Sequence, residues 1–187
     1  MALGDRDEAQ AAPESDTTSA LRETWGRGPL SRLSDELRRA GRFALAVERA
    51  PDDAARVRRL VFAWDGGWAA VPAEATSVTA LAPVLADPAV KKVLYEAKPV
   101  YAWLRDRGVT LAGIDGDNVL ADYMLVPEAR RTVDHVKKRW LELPAGAEAG
   151  DVARDVLAID EVLRPKLADD RVYHDIELPL VPVLAEM

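Results

Sequence analysis

The sequence contains no cysteine. That excludes disulfides, thiolate zinc sites and a cysteine nucleophile, and it fits a cytoplasmic setting. No run approaches the roughly 20 apolar residues a membrane span requires, and the first residues, MALGDRDEAQAAPESDTTS, lack a basic-then-apolar signal pattern. No membrane partner is expected. Positive charge is also in deficit: 25 Lys and Arg stand against 32 Asp and Glu, for a net charge of −7. The surface as a whole therefore repels a phosphate backbone unless its cations cluster.

What is present suffices for one domain. A chain of 187 residues with 49% hydrophobic residues can fill a core of its own. Residues 1–19 hold no aromatic and no β-branched hydrophobe, too little to offset ordering entropy, and read as a disordered tail. Leu30, Leu33 and Leu37 form one helical stripe closed by Gly41. RFALAVERA, residues 42–50, is apolar on both faces, as a central strand is. Residues 58–72 contain two short strands joined through Asp65, Gly66 and Gly67, an antiparallel hairpin. Thr76 to Asp87 predicts a helix, residues 90–97 a short strand, and the helix carrying Tyr101 and Leu104 ends near Gly108. Asp117 is placed to cap a helix running to Leu125, stopped by Pro127. Val133, Val136 and Trp140 share one helix face, and Val152, Val156, Ile159 and Leu163 another. Pro179 and Pro182 mark the start of a last helix of about two turns, marginal without something to pack on. This order predicts an α/β fold, a mixed sheet with helices packed on its faces.

The closing stretch YHDIELPLVPVLAEM, residues 173–187, resembles the segment of family A DNA polymerases (bacterial DNA polymerase I) that leaves the 3′ to 5′ exonuclease domain and enters the polymerase domain. Residues 91–127, KKVLYEAKPVYAWLRDRGVTLAGIDGDNVLADYMLVP, resemble that domain's second exonuclease motif with the strand and helix after it, Asp117 included. With RFALAVE as first strand, the resemblance spans about residues 40–187. It implies an RNase H-like (DnaQ-like exonuclease) fold. It also implies a helical lead-in at 20–41, an exonuclease-like domain at 42–172, and at 173–187 the start of a connection to a polymerase domain that this chain does not contain.

Exonucleases of this kind hold two divalent metals about 4 Å apart, and such hard cations take oxygen ligands. The resemblance places the Asp-x-Glu of the first motif at Ala46 and Glu48, and the Asn and Asp of the second at Glu96 and Val100. The third motif needs a tyrosine four residues before an aspartate, yet no tyrosine lies between Tyr123 and Tyr173. Asp151, Asp155 and Asp160 lie in that region without one. A methyl group cannot ligate magnesium, so the resemblance implies a catalytically silent module with no metal and no cofactor. Its role is to support the polymerase domain of its parent chain in DNA replication and repair. Two alternatives stand beside it. In one, residual acids at Glu48, Glu96 and Asp115 or Asp117 form a displaced Mg2+ site that still trims 3′ ends. In the other, the chain is a stand-alone nucleic-acid-binding domain.

Weaker signals have bland explanations. DGDN at 115–118 hints at a calcium loop, but Val119 and Val126 stand where ligands belong, so a turn and helix cap are expected. Arg130, Arg131, Lys137, Lys138 and Arg139 make one helix basic, either a set of DNA-backbone contacts or, as the commoner case, a solvated face. Trp64 and Trp68 flank the hairpin turn, where core packing is the commoner use. His135 and His174 have no carboxylate at triad-like or metal-ligand spacing and read as surface residues.

Overall fold

A computed structural model describes residues 27–142 and 149–187, so the tail assigned to residues 1–19 lies outside the described residues. The leucine stripe forms α1 (Arg27–Ala40), with Leu30, Leu33 and Leu37 all buried. Gly41 closes it by donating its N–H to the carbonyls of Leu37 and Arg38. The strands are β1 (Arg42–Ala50), β2 (Asp53–Trp64), β3 (Gly67–Pro72), β4 (Lys91–Leu94) and β5 (Ile114–Asp117). They lie in the order β3-β2-β1-β4-β5, antiparallel through β3, β2 and β1 and parallel through β1, β4 and β5. The doubly apolar β1 is thus the central strand. Of the three hairpin residues, Gly66 alone takes a positive φ, at 112°, and Gly67 already belongs to β3.

Helices α2 (Ala75–Leu85), α3 (Ala97–Arg105), α4 (Asn118–Leu125), α5 (Val133–Leu141), α6 (Ala149–Leu163) and α7 (Leu178–Glu186) complete the chain. One sheet face presents Phe43, Leu45, Leu60 and Phe62 to α1, α2 and α3. The other is paved with Ala44, Ala46, Ala63 and Ala70 beneath α6. Side chains this small let a helix axis come close to a sheet, and Ala153 and Val156 of α6 complete that layer. Trp64 and Trp68 fall into opposite layers, both buried, as packing residues.

Four charges tie α6 to the sheet edge: Arg42 of β1 and Arg164, just past α6, each pair with both Asp115 and Asp160. Gly116 makes room for this, because a Cβ there would overlap the Asp160 carboxylate. Of residues 115–118, expected as a turn and helix cap, the first three belong instead to the short parallel strand β5, while Asp117 caps α4 as expected. Gly113 lets the chain enter it with φ 70°, and a Cβ at that position would lie 2.6 Å from the Val90 carbonyl oxygen.

The last helix does not start at its prolines. Helical backbone begins near residue 171, passes through a π-helical turn at Tyr173–Glu177 and continues as α7. Leu178, Val181 and Ala185 turn inward, and Arg105 of α3 donates to the Ala185 carbonyl at 2.5 Å. Among the described residues no helix is long and apolar enough to cross a membrane.

Candidate functional site

The four positions taken from the resemblance come together. Ala46, Glu48, Glu96 and Val100 line one cleft of about 450 Å³, with Tyr95 and Val152 among the other walls. Alternation along β1 puts Ala46 and Glu48 on the same side of the strand. Parallel pairing of β4 with β1 brings the start of α3 alongside them. Ala46 and Val100 are each 5% exposed and offer no donor atom. The walls are largely aliphatic, through Val47, Pro99, Val133 and Val152.

The two carboxylates of the cleft differ. Glu48 lies within 3.5 Å of the Arg58 guanidinium and 4.0 Å of the Arg59 guanidinium, both on β2. The pairing of β1 with β2 shifts register just after it, between Glu48 and Arg49. Glu96 is exposed and occupies the N-cap position of α3, yet its side chain makes no capping bond. That bond comes from Asp117, whose Oδ2 accepts from the Ala97 N–H at 2.8 Å while its Oδ1 accepts from the Leu120 N–H at 3.0 Å. One carboxylate therefore caps both α3 and α4. Its backbone N–H also donates to the Tyr173 hydroxyl at 3.1 Å, which ties the C-terminal helix to β5. Burial pushes the Asp117 carboxyl up to about 6 against these backbone bonds, and the charge of Glu96 pushes the same way. Asp117, proposed as a residual acid of the site, is buried and committed to capping. It does not line the cleft.

The third-motif region supplies Val152 to the cleft and Val156, one turn on, to the layer around Ala46. The acids nearby are engaged elsewhere. Asp155 pairs with Lys137 at 2.6 Å, and Asp160 belongs to the four-charge cluster. The side chain of Asp151 lies outside the described residues. Burial, followed by the charge of Asp122, raises the Tyr95 phenol above its usual range, and its hydroxyl donates to the Arg131 carbonyl at 2.8 Å. Among the described residues, no three His, Asp or Glu side chains converge as a metal cage would require.

The basic residues do not share one helix: Arg130 and Arg131 precede α5, and Lys137, Lys138 and Arg139 lie on it. Lys137 is 6% exposed and paired with Asp155, so it neither reaches a DNA backbone nor belongs to a solvated face. Arg131 stacks on Tyr123 and donates to the carbonyls of Val126 and Pro127. Arg139 pairs with the buried Asp122, which also accepts from the Trp140 indole at 2.7 Å. Arg130 and Lys138 are left exposed. Nδ1 of His135 bonds the Thr132 hydroxyl and Nε2 of His174 the Leu167 carbonyl, both outside the cleft.

Residues 55–140 match the family model described as DNA polymerase I, ribonuclease H-like domain. That stretch of the chain is similar to a domain of that kind. DNA polymerase I of Mycobacterium tuberculosis (strain ATCC 25618 / H37Rv) is 33% identical across 58% of this chain, and DNA polymerase I of Mycobacterium leprae (strain TN) is 41% identical across 44%. The matches span 15% and 9% of those relatives' own lengths. Among solved structures, the "POL domain of Pol1 from M. smegmatis complex with DNA primer-template and dNTP" superposes with a TM-score of 0.75 at 29% identity, over 88% of this chain and 31% of that one. The catalytic core of RRP6 from Trypanosoma brucei shares the fold at 14% identity, with a TM-score of 0.71 over 90% of this chain and 53% of that one. The ribonuclease H-like domain is therefore α/β with a mixed five-stranded sheet, as its sequence predicts.

Proposed function

We propose that this ribonuclease H-like domain is a catalytically silent 3′ to 5′ exonuclease-like module of a DNA polymerase I, serving replication and repair by supporting the polymerase domain of its parent. The observation that carries this reading is the cleft itself. Where the resemblance puts metal-ligating aspartates, the walls are the methyl groups of Ala46 and Val100, and Val152 stands where the late helix meets the cleft. Glu48 is held by two arginines and Glu96 faces solvent. This donor set does not fit a pair of dications. Without metal, clustered carboxylates repel one another and are costly to bury, whereas alanine and valine pack. A cleft released from catalysis is thus free to fill with aliphatic groups.

The deciding measurement is digestion of 3′-end-labelled single-stranded DNA by the 187-residue chain during Mg2+ and Mn2+ titration. We expect no nucleotide release above the metal-free background. Release that grows with metal and disappears when Glu48 and Glu96 are changed together establishes the weakly active alternative instead. The stand-alone DNA-binding alternative predicts affinity for single strands that falls steeply with salt. With a net charge of −7 and Lys137 turned inward, weak binding at most is expected.

A further inference from the structure

The C-terminal helix is apolar on two sides. Tyr173, Leu178, Val181 and Ala185 face the domain and are buried. On the other side Val172, Ile176, Leu180, Val183 and Met187 follow one another at steps of four, four, three and four residues, which keeps them in one line along a helix. Ile176 is 50% exposed, Val183 52% and Met187 97%. A helix covering a single domain presents polar groups outward, and contiguous apolar stripes mark interaction surfaces. Exposed acids border the stripe at Asp175 and Glu186.

We propose that this stripe is the surface on which a polymerase domain seats, an inference that rests on the reading above. Two observations choose the occupant. The match to the M. smegmatis Pol1 POL-domain structure takes in 88% of this chain but 31% of that one, so most of that chain lies outside the shared domain. A second copy of this chain fits less well, because pairing the stripe with itself brings Asp175 and Glu186 of one copy near the same acids of the other, on a chain of net charge −7. The partner face is accordingly an apolar hollow with a neutral or basic rim.

The absence of cysteine makes the test clean. Val183→Cys, and Asp52→Cys at the exposed β1–β2 turn as control, are placed in the full chain. Each is also placed in a fusion in which the full chain replaces the matching segment of M. smegmatis Pol1. Maleimide labelling is then read residue by residue by mass spectrometry. The expected result is labelling of Val183→Cys at least about tenfold slower in the fusion than in the isolated chain, with Asp52→Cys unchanged. A second variant, Ile176→Asp, lowers the unfolding temperature of the fusion but not that of the isolated chain. Equal labelling of Val183→Cys in both settings overturns the surface. So does protection in the isolated chain that grows with its concentration, which marks a second copy. Primer extension by the fusion is scored separately: if it persists while labelling is equal, the supporting role stands and the surface alone is wrong.

Discussion

At the residue scale, Asp117 carries the most. Its two oxygens satisfy the first free N–H groups of two helices, a need that every helix start must meet. Asp117→Ala removes both bonds and is expected to cost about 2 kcal/mol in urea unfolding, the upper end for a lost cap. The pH dependence has a definite sign. The folded carboxyl titrates at about 6, above its ordinary value of 3.8, so the folded state holds its proton more tightly than the unfolded chain. The resulting stabilisation is present below about pH 4 and lost as pH rises through about 6. Wild type should therefore lose stability relative to Asp117→Asn across that interval, by at most about 3 kcal/mol. Parallel curves for the two proteins in urea titrations from pH 4 to 7 contradict this assignment. Ala46 yields a second prediction. Ala46→Asp buries a carboxylate among Val93, Val156 and neighbouring alanines and should destabilise by about 2–4 kcal/mol, and Mg2+ should not restore the loss because Glu48 is held by Arg58 and Arg59 and Glu96 faces solvent.

At the element scale, α5 and α6 are joined by a buried ion pair. Lys137→Met strands the Asp155 carboxylate and is expected to cost about 3 kcal/mol, whereas Lys137→Met with Asp155→Leu should recover most of that loss. A double-mutant cycle by chemical denaturation measures the coupling. The same pair shows the reach of sequence reading. The run Lys137, Lys138, Arg139 announces a basic helix, but consecutive residues point in different directions around its axis, and composition does not say which turns inward. The long elements were legible because their apolar spacing is regular: the α1 leucines, the doubly apolar β1 and the glycine hairpin. Strand β5 was implied only by the resemblance, because four residues with two aspartates and a glycine carry no apolar period of their own. Its strand geometry comes from the parallel partner β4. In the cleft, Ala46 and Val100 could be assigned by resemblance. Val152 could not, since an aliphatic residue at helical spacing from Val156 reads only as core.

At the scale of the whole molecule, α6 sits against an alanine-paved sheet and is clipped to it by Arg42, Asp115, Asp160 and Arg164. Gly116→Ala drives a methyl group into Asp160, whose carboxylate two arginines hold in place. We expect a loss of about 1–3 kcal/mol and faster amide exchange along α6, read by hydrogen-exchange mass spectrometry. A loss of stability with α6 protection unchanged places the damage elsewhere.

Tyr173 has a mechanical consequence. Tension on the carboxyl end peels α7 away from α3 one turn at a time until it reaches the phenol anchored on the backbone of Asp117. From there the load passes into β5, the outermost strand, which must be unzipped from β4 before the sheet yields. The domain therefore gives way from one border inward, and the β2–β3 hairpin at the opposite border is the last to feel the pull.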